Sequence, residues 1–169
     1  AAIESVPSFA LPGYRSVRVA TPPAHRVVTS LRRFRPDVVH LASPFALGWR
    51  GALAAERLDV ASVAAYQTDV AAYTERYRIP ATTGIAQRHI ARLHRRSTLT
   101  LAPSADSAQQ LAALGVDRVR RWGRGVDAER FHPSQRSHLL RAHWGAEVVI
   151  GYVGRLAPEK QVEDLAVLQ

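Results

Sequence analysis

The chain has 169 residues, 47% of them hydrophobic, with no cysteine, no methionine and a formal charge of +9. That length supports an ordinary domain with a real core. No apolar run approaches the ~18 residues of a membrane span, no charged-then-apolar leader opens the sequence, and the absence of thiols excludes disulfides and cysteine-ligated metals. The cytoplasm is therefore the expected compartment. The positive balance points to an anionic partner, whether nucleotide phosphate, nucleic acid or a membrane surface, although a GC-rich coding bias toward Arg and Ala produces the same excess.

Residues 1–13 are short apolar pieces broken by Pro7, Pro12 and Gly13, and 16–20 alternates like a strand before Pro22 and Pro23. A basic helix is expected over 24–34, stopped by Arg35 and Pro36, then a compact strand over 37–41 with Val38 and Val39 inward. Ser43 and Pro44 turn the chain into an alanine-rich helix reaching Leu58, and 60–65 is the next strand, with Tyr66, Gln67, Thr68 and Asp69 at its carboxyl end. Thr83 and Gly84 precede a helix on which Ile85, Ile90 and Leu93 mark one face while Arg88, Arg92, Arg95 and Arg96 crowd the other. Such a face is either solvated or rests on anionic lipid. A strand over 98–102 follows, then Ser104 as N-cap of a helix that Gly115 stops, then a strand over 116–122.

Repeating strand and helix, with near-continuously apolar strands, predicts an α/β fold with a parallel sheet covered on both faces, whose ligands bind at the carboxyl ends of the strands. Residues 123–146, with Gly123, Gly125 and Pro133, have the character of a linker between a first domain over 1–122 and the opening of a second over 147–169. In that opening Val148, Val149, Ile150, Tyr152 and Val153 read as a buried strand, Gly151 and Gly154 as turn residues, and Gln161 onward as a helix. Glycine at the turn, the free N–H groups of a helix start and the two cations Arg155 and Lys160 form a pattern suited to phosphate. The plain reading is a βα turn with solvated charges. Against it stands one compositional fact: of the 23 basic residues Lys160 is the sole lysine, and an ammonium meets phosphate as a point charge.

His40 sits at the carboxyl end of a strand, whereas His89, His94, His132, His138 and His143 show no ligand spacing. No Gly-x-Ser-x-Gly nucleophile elbow occurs. Ser104 and Asp127 read first as cap and turn residues. The chain does not start with Met, and the apolar positions Val162, Leu165, Ala166 and Leu168 stop at Gln169; both ends are expected to be cut.

With these elements placed, "RPDVVHLASPFALG" at 35–48, "AAYQTDVAAY" at 64–73, "TLAPSADSAQQLAALGV" at 100–116, "RWGRGVDAERFHP" at 121–133 and "YVGRLAPEK" at 152–160 resemble, in order and spacing, a retaining GT-B glycosyltransferase of family four, the group that includes actinobacterial GDP-mannose-dependent α-mannosyltransferases. The resemblance implies Rossmann-like domains flanking a cleft: most of an N-terminal acceptor-side domain, the interdomain linker, and the first βα unit of the donor domain. It implies that Gly154, Arg155 and Lys160 meet the donor diphosphate, that Tyr66, Asp69, Ser104, Gly125 and Asp127 lie near the cleft, and that no metal or cofactor is required. It implies transfer of a hexose, with mannose foremost, from a nucleotide-diphosphate sugar to a lipid or glycan acceptor, with peripheral contact to an anionic membrane through the Arg-rich helix.

The chain departs from the family pattern at Gln67, where members generally carry His. An amide can hydrogen-bond a sugar hydroxyl but cannot take up a proton near neutrality. The family's first strand with its glycine-rich loop, and its paired donor-site glutamates, should lie before residue 1 and beyond residue 169, so the chain alone is expected not to transfer sugar. Two other readings compete. One is a non-catalytic basic module in which Arg118, Arg120, Arg121, Trp122 and Arg124 interleave cations and an aromatic ring for nucleic acid or membrane; the lack of any nucleic-acid motif counts against nucleic acid. The other is an inactive truncated remnant.

Overall fold

The computed structural model describes residues 3–11, 14–67, 83–123, 125–154, 156 and 160–168; Thr68, Asp69, Arg124 and Arg155 lie outside them. The first pieces pair as an antiparallel hairpin, β1 (Ser8–Leu11) with β2 (Tyr14–Ala20). Pro22 and Pro23 end β2 and lead into α1 (Ala24–Phe34), which closes on Arg35 at φ 51° with its N–H bonded to the Leu31 carbonyl.

The central sheet has four parallel strands in the order β3 (Val38–Leu41), β4 (Ala61–Ala65), β5 (Leu99–Ala102), β6 (Val119–Arg121). Each sequential pair is joined through a helix: α2 (Ala46–Arg57), α3 (Thr83–Arg96) and α4 (Ala105–Ala113). Strands that are neighbours both in sequence and in space, linked by crossovers of one hand, send every connecting helix to the same face. The side chains record this. Leu41, Ala64 and the half-buried Val39 pack with Ala52 and Trp49 of α2 and Leu93 of α3, while Ala102 and the half-buried Val119 pack with Ile90 of α3 and Leu111 of α4. Burying Leu93 and Leu111 contributes about 2 kcal/mol each, which ties all three helices to one side of the sheet.

On the opposite face Val38 and His40 are exposed, and Val63, Leu99 and Leu101 are only half-buried. Cover on both faces was the expectation; among the described residues the helices cover one. Covering the second face of an α/β sheet requires strands added beyond β3 with the direction of winding reversed, and β3 is an edge in this sheet.

Three further differences have local causes. The strand expected over 116–122 contracts to β6, because the Val116 N–H bonds the Leu111 carbonyl and, with Gly115 at φ 73°, completes the stop of α4 rather than a ladder. Within 123–146 a short helix α5 (His138–Trp144) forms, capped by the Ser137 hydroxyl and closed on Gly145 at φ 60°; at seven residues it is too short for an apolar period to announce it, and none of its residues is buried. The strand expected over 148–153 is instead exposed, irregular chain, and Val162–Leu168 is a 3-10 helix. A β-strand has no hydrogen bonds of its own, and no neighbouring strand among the described residues offers them. Among the described residues no helix is long and apolar enough to cross a membrane.

Candidate functional site

The parallel sheet sends four chain exits to one edge: Ala42 after β3, Tyr66 after β4, Pro103 after β5 and Trp122 after β6. Two exits are fixed by the ladder itself, since the Tyr66 N–H bonds the Leu101 carbonyl and the Trp122 N–H bonds the Ala102 carbonyl, both at 2.8 Å. Position alone makes this edge the candidate site, because strand carboxyl ends, followed by turns free to vary, are where such sheets bind ligands.

Each exit is built from its own residues. After β3, Gly48 in the first turn of α2 lies so close to the Ser43 carbonyl oxygen that a Cβ there would stand 1.7 Å from it. Glycine therefore permits the tight entry into the helix, and His89 of α3 holds the same turn through Nε2 to the Pro44 carbonyl at 2.8 Å. After β5, Ser104 is the N-cap of α4, its Oγ accepting from the Ser107 N–H at 3.1 Å. After β6, Asp127 Oδ1 accepts from the Arg130 N–H at 2.9 Å, closing a turn, and Gly125 has open space where a Cβ would go.

The exit after β4 matters most. Tyr66 is buried, with its ring edge-on to His94 of α3 at 5.7 Å, and Gln67 beside it is exposed. His94 in turn contacts the Thr100 hydroxyl through Nδ1 at 3.1 Å. Burial withdraws water from the imidazole and pushes its pKa from 6.5 down to about 4, so it is neutral at physiological pH. A ring only 2% exposed beneath Tyr66 supports that side chain from below and has no route to a ligand above it.

His94 has no ligand spacing in the sequence. The signal for its position was present: it lies four residues after Ile90 and one after Leu93, on the apolar stripe that packs against the sheet. The basic face of the same helix is partly engaged. Arg96 pairs with Glu56 and lies over the Trp49 ring, 5.6 Å from its centre, while Arg88, Arg92 and Arg95 are exposed.

Gly154 and Lys160 are both exposed, and no hydrogen bond joins either of them to Gln67, Ser104 or Asp127. Tyr152 folds back so that its hydroxyl would stand 2.6 Å from a Cβ at Gly154. The structure thus gathers Tyr66, Gln67 and Ser104 on one sheet edge. Asp69 and Arg155 lie outside the described residues. Among the described residues no three His, Asp or Glu side chains form a group that could hold a metal ion.

Helix-linked parallel strands in this order define a Rossmann-like α/β domain. The chain belongs to Glycosyltransferase Family 4, whose model matches residues 1–130. It is similar to a GDP-mannose-dependent alpha-mannosyltransferase of Mycobacterium tuberculosis, 46% identical over 165 residues that make up 96% of this chain and 43% of that protein. The protein of the same description from Mycolicibacterium smegmatis is 47% identical over 168 residues, 98% of this chain and 44% of its own length. A sulfoquinovosyl transferase of Arabidopsis thaliana is 32% identical over 163 residues, 92% of this chain and 32% of its own length. The chain therefore spans less than half the length of each of these relatives. No solved structure matches it.

Proposed function

We propose that this chain is the acceptor-side portion of a retaining hexosyltransferase that takes its sugar from a nucleotide diphosphate, with GDP-mannose as the donor and a lipid or glycan as acceptor. The observation that carries the reading is identity of 46% and 47% to GDP-mannose-dependent mannosyltransferases over nearly the entire chain, joined to a sheet edge where Tyr66, Gln67 and Ser104 come together. Residues 1–122 form the acceptor-side domain, 123–146 the linker, and 147–169 the beginning of the donor domain.

The chemistry asked of these residues is electrostatic. As the glycosidic bond to the diphosphate breaks, negative charge grows on the leaving oxygen, and Arg155 and Lys160 are the cations that neutralise it, with Gly154 giving the phosphates close access to backbone. Side-chain cations serve in place of a divalent metal, and no cofactor takes part. Gln67 donates and accepts hydrogen bonds to the sugar without exchanging protons. Contact with an anionic membrane runs through Arg88 and Arg92, on a protein located in the cytoplasm.

Calorimetric titration of GDP into the purified chain tests the donor half of this reading: Lys160→Ala should weaken binding by about tenfold or more, and equal affinity would refute the role of Lys160. The chain by itself should show no mannosyl transfer from radiolabelled GDP-mannose to lipid, and appreciable turnover by a sequence-verified sample would overturn that expectation. A nucleic-acid module is not favoured, because residues 1–130 match Glycosyltransferase Family 4 and the chain carries no nucleic-acid motif.

A further inference from the structure

A second charged feature lies on the helical layer, away from the sheet edge. A cavity of about 490 Å³ is lined by Ala24, His25, Val28, Thr29 and Arg32 of α1 and by Arg57 at the end of α2. Positions 25, 28, 29 and 32 form one face of a helix, so the sequence spacing brings His25, Thr29 and Arg32 to the same side. α2 begins after the carboxyl end of β3 and finishes at Arg57, just before the amino end of β4 at Ala61. The cavity therefore lies at the opposite end of α2 from the strand exits that carry Tyr66, Gln67 and Ser104.

Its charge is uncompensated. No carboxylate lines it. Of the acids near it, Glu56 pairs with Arg96 and, with Asp59, lines a different cavity together with Thr98, Glu4 pairs with Arg33, the neighbour of Arg32, and Asp37, five residues after Arg32, does not line the cavity. Neither Arg32 nor Arg57 makes a hydrogen bond or ion pair with a described residue. Two guanidinium groups lining one space repel each other, and a phosphate oxyanion between them converts that repulsion into charge-assisted bonds, with the Thr29 hydroxyl as a further donor.

We propose that His25, Thr29, Arg32 and Arg57 form a binding site for a phosphate-type anion, separate from the proposed donor residues Gly154, Arg155 and Lys160. The ligand is a phosphate or diphosphate group, carried either by a soluble phosphorylated compound or by a phospholipid headgroup. Inorganic pyrophosphate is the probe, titrated calorimetrically into the chain carrying Arg155→Ala with Lys160→Ala, so that both proposed donor-site cations are absent and failure of the donor reading would not imitate failure here.

On that background Arg32→Ala with Arg57→Ala should lower pyrophosphate affinity at least about tenfold, with circular dichroism showing the fold intact. Arg32→Lys with Arg57→Lys keeps charge and fold and should still weaken binding severalfold, because an ammonium lacks the planar fork. Arg130→Ala with Arg136→Ala removes the same net charge elsewhere and should change affinity by less than about twofold. Unchanged affinity in the Arg32 and Arg57 alanine pair, or an equal loss in the Arg130 and Arg136 pair, would overturn the proposal. Sedimentation with phosphatidylglycerol vesicles, but not phosphatidylcholine vesicles, that depends on Arg32 and Arg57 assigns the headgroup as ligand; pyrophosphate binding without it assigns the free phosphate; neither overturns the site.

Discussion

Acidification should destabilise this domain through one side chain, His94. Its imidazole is neutral in the fold because burial lowers its pKa to about 4, against 6.5 when unfolded. Between those values the unfolded chain binds the extra proton, so stability is fully present above 6.5, falls as pH drops, and stops changing below about 4. Linkage puts the loss between pH 7 and pH 5 at about 2 kcal/mol, within a ceiling of about 3 kcal/mol below pH 4. For a small domain whose urea slope is about 1–3 kcal/mol per molar, that moves the unfolding midpoint by about 1 M. His94→Phe keeps an aromatic edge against Tyr66 and gives up the bond to Thr100, at a pH-independent cost of about 1 kcal/mol. Urea unfolding followed by circular dichroism should therefore find the wild type and the variant close at pH 7, with the wild type losing about 2 kcal/mol more than the variant on moving to pH 5. Equal acid losses in the two proteins would refute the assignment of this dependence to His94.

Gly48→Ala should destabilise the fold by about 2 kcal/mol or more, since its Cβ meets the Ser43 backbone oxygen rather than a yielding side chain; thermal melting checks it, and an unchanged melting temperature would contradict the tight entry into α2. Ser104→Ala removes the N-cap of α4 and should cost about 1 kcal/mol, readable as a shift in the urea midpoint, with Ser104→Asp restoring most of it.

The elements that could be read in the linear chain are those whose stabilising contacts are local or periodic. The spacing of Ile90 and Leu93 announced α3, Ser104 and Gly115 bracketed α4, and the apolar runs at 38–41 and 61–65 fell on strands. The site was legible in part: Tyr66, Gln67 and Ser104 were placed at strand exits, where the fold puts them. The segment 148–153 failed because a strand is defined by its partner, and apolar character alone supplies no hydrogen bonds.

What the amino-acid order by itself determined is the alternation of strand and helix, because caps, breakers and hydrophobic period act within a few residues, and the motifs at 35–48, 64–73, 100–116, 121–133 and 152–160 that carry the family resemblance. Tertiary structure alone decided that the helices share one face of the sheet, that His94 lies dry beneath Tyr66, and that Arg32 and Arg57 line one cavity while Glu56 pairs with Arg96. These depend on which distant residues meet, and that follows from strand order and packing rather than from any spacing along the chain.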